Sequence, residues 1–307
     1  MPVLFPPDLP LPASGRTALR WAAFAELASR DLVAVRLAEG DADARAILAE
    51  LSGPTPETQH QWAVWAARPP GQRVAAQLDD RGWRLTGRMP YCSGAHTVDR
   101  ALVVADAHDG IRLFAVAMDQ PGAAPVEGTW HAVGMAASDS LDVQFDDAEG
   151  RPVGAPGGYL NRPGFWYGGM GVAACWYGGA VGVARALAAA AQQRELGDSA
   201  LAHLGAVDVL LSAGQAMLEQ AAAAIDSAPA DPQGLAPLRA QRLRAFVADS
   251  AAEVLTRVGR ALGAGPLCHD ADHARRAGDL SVYLRQHHAE RDLEAVGADV
   301  AKNGPSW

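Results

Sequence analysis

The sequence predicts an α+β protein in several parts: short N-terminal helices, an antiparallel β domain or barrel, and a C-terminal four-helix bundle. Three observations predict it. Apolar residues repeat every three to four positions up to Leu51, every two from about residue 61, and every three to four again from Phe165. Alanine, the best helix former, supplies 65 of the 307 residues. Short breaks separate the later helical stretches, which makes neighbouring helices antiparallel. The three parts are expected at residues 1–60, 61–150 and 151–307.

Residues 1–14 are Pro-rich and irregular. Leu19, Ala23 and Leu27, then Val33 and Leu37, then Ala44, Ile47, Leu48 and Leu51 mark helical faces, and Gly40 is expected to divide this stretch in two. Ser52 to Gln59 reads as a linker. Short alternating or β-branched segments follow at Val74–Leu78, Trp83–Gly87, Arg100–Asp106, Ile111–Ala117 and Leu141–Phe145. Asp79-Asp80-Arg81-Gly82 and His108-Asp109-Gly110 are turn signals and predict two hairpins. Residues 147–163 are a Gly/Pro-rich connection. Beyond them Leu204, Leu211, Leu218 and Ile225 are spaced by sevens, and Leu243, Val247, Ala251, Val254, Val258 and Leu262 share a face. Breaks at Gly197-Asp198-Ser199, Ser227 to Gly234 and Gly263 to Pro266 leave four long helices.

Composition narrows the function. The net charge is −9, which argues against a nucleic-acid binder. Cys92, Cys175 and Cys268 are odd in number and widely spaced, so neither a disulfide framework nor a zinc site follows. Met1 to Pro12 has no basic start and no long apolar run, so a cytoplasmic location is expected. Pro163 to Ala184 is long enough to span a bilayer, being 22 residues without a charge. Its seven glycines and interior Trp and Tyr residues predict a closely packed buried helix instead of a membrane span. Small residues at Gly164, Gly168, Gly178 and Gly182 let another backbone or a flat ligand approach.

Several strings, in order, resemble the acyl-CoA dehydrogenase family of flavoproteins. Gly82-Trp83-Arg84-Leu85-Thr86-Gly87-Arg88 leads to Tyr91-Cys92-Ser93-Gly94-Ala95, similar to a strand-turn segment ending in an aromatic, a small residue and Ser/Thr. Trp130 to Met135 with Ser138, then Val143 to Asp147, resembles later β-domain strands. Arg275 to Asp279 and Tyr283 to Asp292 resemble the last helix. The resemblance covers about residues 15–300 and implies an acyl-CoA dehydrogenase-like fold with FAD as cofactor. It implies α,β-dehydrogenation of an acyl thioester, acyl-CoA or another small molecule as substrate, and a homodimer or homotetramer. A flavin-dependent monooxygenase of the same fold and a flavin-free partner subunit are the alternatives.

The chain departs from the family at four places. About 60 residues precede the β domain, fewer than the family has. Trp65 stands where a threonine would donate to the flavin, and Gly71 where a serine is usual. Gln193-Arg194-Glu195-Leu196-Gly197 replaces Arg-x-x-Phe-Gly. A flavin ring needs an apolar wall and donors at its polar edge. The resemblance assigns the wall to Tyr91 and the donors to the Ser93 hydroxyl and the backbone N–H groups of Cys92 and Ser93, with Trp65 as a further cofactor-binding position. Counting from Asp279, the base position falls on His287, with Glu290 close by as the second catalytic candidate. An imidazole can take a proton near neutral pH or donate to a substrate oxygen. His269 and His273, four apart, would share a helical face, but spacing supplies no further metal ligands, and Asp270 reads as a helix cap. The resemblance places Gly263-Ala264-Gly265 against a partner subunit's flavin, whereas spacing alone reads it as a helix–helix turn.

Overall fold

The computed structural model describes residues 4–305. Residues 1–3 of the Pro-rich start and residues 306–307 of the last part lie outside the described residues. The chain forms two compact units. The sheet unit holds residues up to Leu9, Arg36–Ala132 and Ala136–Phe165. The helical unit holds Pro10–Val35, Val133–Met135 and residues from Trp166 onward.

Helix α1 is Thr17–Arg30 and α2 is Leu32–Glu50. The break expected at Gly40 falls at Asp31 instead. Asp31 is extended, and its carboxylate accepts a hydrogen bond from the Ala34 N–H at 2.9 Å. That side-chain cap starts a new helix. A single interior glycine costs a helix only about 1 kcal/mol, so Gly40 stays helical.

The sheet unit contains β1 (Trp62–Trp65), β2 (Val74–Asp79), β3 (Gly82–Cys92), β4 (Arg100–Ala107), β5 (Gly110–Ala117), β6 (Ala123–Val126), β7 (Leu141–Glu149) and β8 (Arg151–Val153). Their order is β6-β7-β3-β2-β4-β5-β8, with β1 on β4. Both expected hairpins form, closed by Asp79↔Gly82 and Ala107↔Gly110. The sheet is mixed and not purely antiparallel, because β1 and β2 each pair with β4 in parallel. Alternation sets which face a residue takes but carries no strand direction. The long connections flanking β2 and β3 leave room for parallel pairing. Trp130 to Met135, expected in strands, forms a loop followed by a 3-10 turn at Ala136–Ser138.

Strand β4 shows how the sheet is buried. Ala101, Val103 and Ala105 face a cluster with Trp65, Leu85, Phe114 and Phe145. Leu102 and Val104 face the other way, against Ile47 and Leu48 of α2, Trp62, Leu113 and Val153. A strand apolar on both faces needs cover on both faces, and α2 supplies one.

Short helix α3 is Gly158–Asn161, in the sheet unit; in the helical unit, α4 is Pro163–Gln193, α5 is Asp198–Ser227 and α6 is Ala236–Leu262. The fourth long helix expected here is broken into α7 (Gly265–His269), α8 (Ala271–Tyr283), a 3-10 turn at Leu284–Gln286, and α9 (Glu290–Asn303). His287 is extended, and Ala289 adopts a positive φ of 47°. Asp270 is the predicted cap, accepting from the His273 N–H at 3.0 Å. Helix α1 lies along the glycine face of α4. A Cβ at Gly178 would stand 2.2 Å from the Ala25 carbonyl oxygen, and one at Gly182 2.5 Å from that of Ser29. The small residues do admit a second backbone there. Both α4 and α5 are long and apolar enough to cross a membrane; the apolar window of α4 is 61% buried and that of α5 17%.

Candidate functional site

Strand β3 ends in a distortion. Its register with β7 shifts between Met89 and Cys92, and Tyr91 between them has φ +60°. A bulky L-residue adopts that conformation only where surrounding bonds hold it. The Ser93 N–H closes a tight turn on the Tyr91 carbonyl at 3.1 Å, and the Trp65 indole N–H donates to the Ser93 carbonyl at 3.2 Å. As a result Tyr91 is 61% exposed, while the two residues that follow it, Cys92 and Ser93, are buried. Burial pushes the Cys92 thiol well above its usual range, which leaves it an inert packing residue.

Ser93 belongs to a buried chain of hydroxyls. Ser93 Oγ lies 2.8 Å from Ser140 Oγ, and Ser140 Oγ lies 2.8 Å from Ser138 Oγ. Each hydroxyl has one hydrogen to donate. Donation running from Ser138 through Ser140 to Ser93 leaves the Ser93 hydrogen to donate to a ligand. The backbone reinforces the pairing: Gly94 N–H donates to the Ser138 carbonyl at 2.8 Å and Ala95 N–H to that of Asp139 at 3.1 Å. Trp65 is 2% exposed and its N–H is committed to Ser93, so it acts on this turn by holding it. Ser140 and Asp139 were missed from the sequence. The signal was the small polar run Ser138-Asp139-Ser140 before an alternating strand.

The helical unit carries the two catalytic candidates. The His287 side chain is 6% exposed, its ring edge-on to Trp176 with centroids 6.1 Å apart. Arg244 lies over the Trp176 ring at 4.6 Å and donates to the Gly169 carbonyl at 2.7 Å and the Gln286 carbonyl at 3.3 Å. Asp292 Oδ2 stands 3.5 Å from His287 Nε2, which has no hydrogen-bond partner among the described residues. Desolvation lowers the His287 pKa, with Asp292 opposing it and Arg244 adding to it. Glu290, by contrast, is exposed as the first residue of α9. Of the two, His287 is the buried one, and its Nε2 makes no hydrogen bond among the described residues.

Other predicted features fall elsewhere. His269 ends α7 and His273 lies in α8, so the break at Asp270 separates them, and no metal-binding group forms among the described residues. Gly71 lies in an exposed turn at φ +82°. Gly263 ends α6 at φ +67°, as a helix–helix turn requires. A cleft of about 370 Å³ on the sheet unit is lined by residues that include His60, Trp62, Arg100, Gln120 and Arg151, and none of the predicted site residues.

No family model and no curated protein matches the chain. Solved structures do. Butyryl-CoA dehydrogenase of Megasphaera elsdenii superposes with a TM-score of 0.81 at 18% identity, over 94% of this chain and 83% of that one. Glutaryl-CoA dehydrogenase of Mycobacterium smegmatis, in complex with FADH2, gives 0.78 at 18%, over 95% and 81%. TdsC, a dibenzothiophene monooxygenase of Paenibacillus sp. A11-2, gives 0.79 at 19%, over 94% and 84%. The chain has the acyl-CoA dehydrogenase-like α+β fold.

Proposed function

We propose that the protein is a flavin-dependent oxidoreductase, with α,β-dehydrogenation of an acyl thioester as its first expected reaction. The observation that carries the reading is the Tyr91–Cys92–Ser93 turn. It presents an exposed aromatic ring beside a buried hydroxyl that can donate outward. A flavin ring needs those two features, an apolar wall and a donor at its polar edge. The residues therefore fit the group, and the structures holding FADH2 or FMN on this fold support it. FAD is the form we expect. When bound, the flavin supplies a hydride acceptor.

The chain's own residues do the rest. Ser93 would donate its hydroxyl hydrogen to the ring edge and Tyr91 would cover a face, while Trp65 fixes the Ser93 carbonyl. His287 is the proposed proton acceptor. Kept neutral by burial, it can take a proton at Nε2, and Asp292 can steady the charge that forms. Glu290 is the reserve candidate.

One observation favours a second reading, monooxygenation. The buried candidate is an imidazole, while the carboxylate candidate, Glu290, is exposed. A neutral imidazole can donate to an oxygen atom as well as accept a proton. The test is anaerobic titration of the purified, flavin-loaded protein with acyl-CoAs of several lengths. Bleaching of the flavin band without oxygen supports dehydrogenation. Bound flavin that no acyl-CoA bleaches, with oxygen consumed once the flavin is reduced, moves the assignment to monooxygenation. Failure to bind FAD or FMN overturns both.

A further inference from the structure

The Ser93 turn is fastened by a residue that neither reading uses. His96 lies three positions beyond Ser93, with its ring between two carboxylates. Nδ1 is 3.0 Å from each oxygen of Asp139, and Nε2 is 2.9 Å from Glu127 Oε1. Its backbone N–H also donates to Asp139 Oδ2 at 2.8 Å. A neutral imidazole has one N–H and can donate at only one end; both ends donate only in the protonated ring. The observed geometry is therefore that of His96 carrying a positive charge.

The partners lie on a different stretch of chain from the turn. Glu127 follows β6, and Asp139 sits between Ser138 and Ser140 at a positive φ of 49°. We propose that protonated His96 is a positioning residue for the Ser93 hydroxyl: it pins the segment bearing Ser138 and Ser140 onto the segment bearing Ser93, and makes flavin binding depend on pH. The flavin part rests on the proposed function; the pin does not.

The charged groups facing His96 are Asp139 and Glu127. Asp99, three residues further on, turns its carboxylate to the Gln61 N–H at 2.8 Å. The Asp139 hydrogen bond, then the Glu127 one, raise the pKa of His96 above its usual value. The sign follows. A raised folded-state pKa gives stability that is complete below the ordinary imidazole range and is lost as pH rises through the folded value. The His96 side chain is 46% exposed and that of Glu127 80%, so solvent screens the pairs and the effect is moderate.

The experiment is hydrogen exchange on the whole chain without added flavin, read as protection factors corrected for intrinsic exchange. The reporters are the amides of Gly94, Ala95 and His96, whose acceptors are Ser138, Asp139 and Asp139. Between about pH 6 and about pH 9 their protection should fall about threefold to tenfold, as expected for partly exposed ion pairs. His96→Gln should show low protection at both pH values, and His96→Lys high protection at both. Unchanged wild-type protection across the range, or a His96→Gln variant that keeps the pH dependence, overturns the proposal. A parallel titration with FMN and with FAD should give weaker binding at the higher pH in the wild type only. Absent flavin binding with pH-dependent protection sinks the flavin reading and leaves the pin. Flavin binding with pH-independent protection sinks the pin and leaves the flavin reading.

Discussion

The proposed function rests on two side chains, His287 and Ser93, each set by its neighbours. Replacing Ser140 with alanine cuts the hydroxyl chain without touching Ser93 itself. Ser93 then accepts nothing from Ser140 and can turn its own hydrogen elsewhere. A buried hydrogen bond of this kind contributes about 1 kcal/mol, so Ser140→Ala should weaken flavin binding about fivefold. Ser93→Ala should weaken it at least as much, and the double variant little more than Ser93→Ala, measured by fluorescence titration. Additive losses would show that the chain does not act as one unit. For the acid–base role, His287→Ala should slow flavin reduction by about 10²-fold or more with flavin still bound, and Glu290→Ala by far less. Stopped-flow reduction of the two variants checks this, and the reverse order would move the base to Glu290. The His287 pKa is lowered chiefly by desolvation, as is that of buried His273. A lowered folded value gives stability that is present above the ordinary imidazole range and lost as pH falls through the folded value. His287→Gln should therefore lose less thermal stability than the wild type between about pH 7 and about pH 5, with His273 retaining its share.

Helix α4 depends on its glycines in a way a melting curve can read. Adding a methyl at Gly178 brings it to 2.2 Å from the Ala25 carbonyl oxygen, against backbone that has no rotamer to change. Helix propensity alone would favour alanine by about 1 kcal/mol. Overpacking costs typically about 1–3 kcal/mol, and contact with main chain falls at the upper end. Gly178→Ala should thus lower the melting temperature by several degrees, while Gly205→Ala, with nothing within 4 Å, should not. Equal effects would remove close α1–α4 packing as the cause. At this scale the sequence was informative where a local signal decides the outcome. The hairpin turns at Asp80-Arg81 and His108-Asp109, the Asp270 cap and the glycine face of α4 were all legible. The Asp31 break was not, because the visible breaker was Gly40 while the deciding feature was a side-chain cap. The 284–289 break was hidden because the polar run Arg285–His288 holds no glycine or proline to mark it. The Ser93 turn was legible only through the resemblance of Tyr91-Cys92-Ser93 to a known family. His96, Asp139 and Glu127 are up to 43 positions apart, and no local pattern joins them.

Helix α5 raises the question of what the whole molecule does with apolar surface. Its most apolar window has a mean hydropathy of 1.4 and is only 17% buried, and Leu201 and Val209 are exposed. Two occupants suit such a face, a bilayer or a second copy of the chain. The far end of the helix argues for the second copy. Leu218, Ala221, Ala222 and Ile225 are buried within the chain, and Asp226 accepts hydrogen bonds from the Gly15 and Thr17 N–H groups and the Thr17 hydroxyl. A helix fixed along part of its length by polar and apolar protein contacts is ill suited to lipid on all sides. We therefore expect a homodimer or homotetramer joined through this face. A helix of 30 residues is about 45 Å long, and a strip about 10 Å wide along it falls short of the ~800 Å² per partner of a stable interface. The contact must also take in a neighbour, and α6 packs on α5. Sedimentation velocity at about 20 μM in detergent-free buffer should show the oligomer. Val209→Asp and Leu201→Asp, which add charge to exposed positions, should dissociate it with little loss of helix content. A monomeric wild type in that buffer would exclude this face as a subunit contact, and flotation of the same protein with liposomes would give the face to lipid instead.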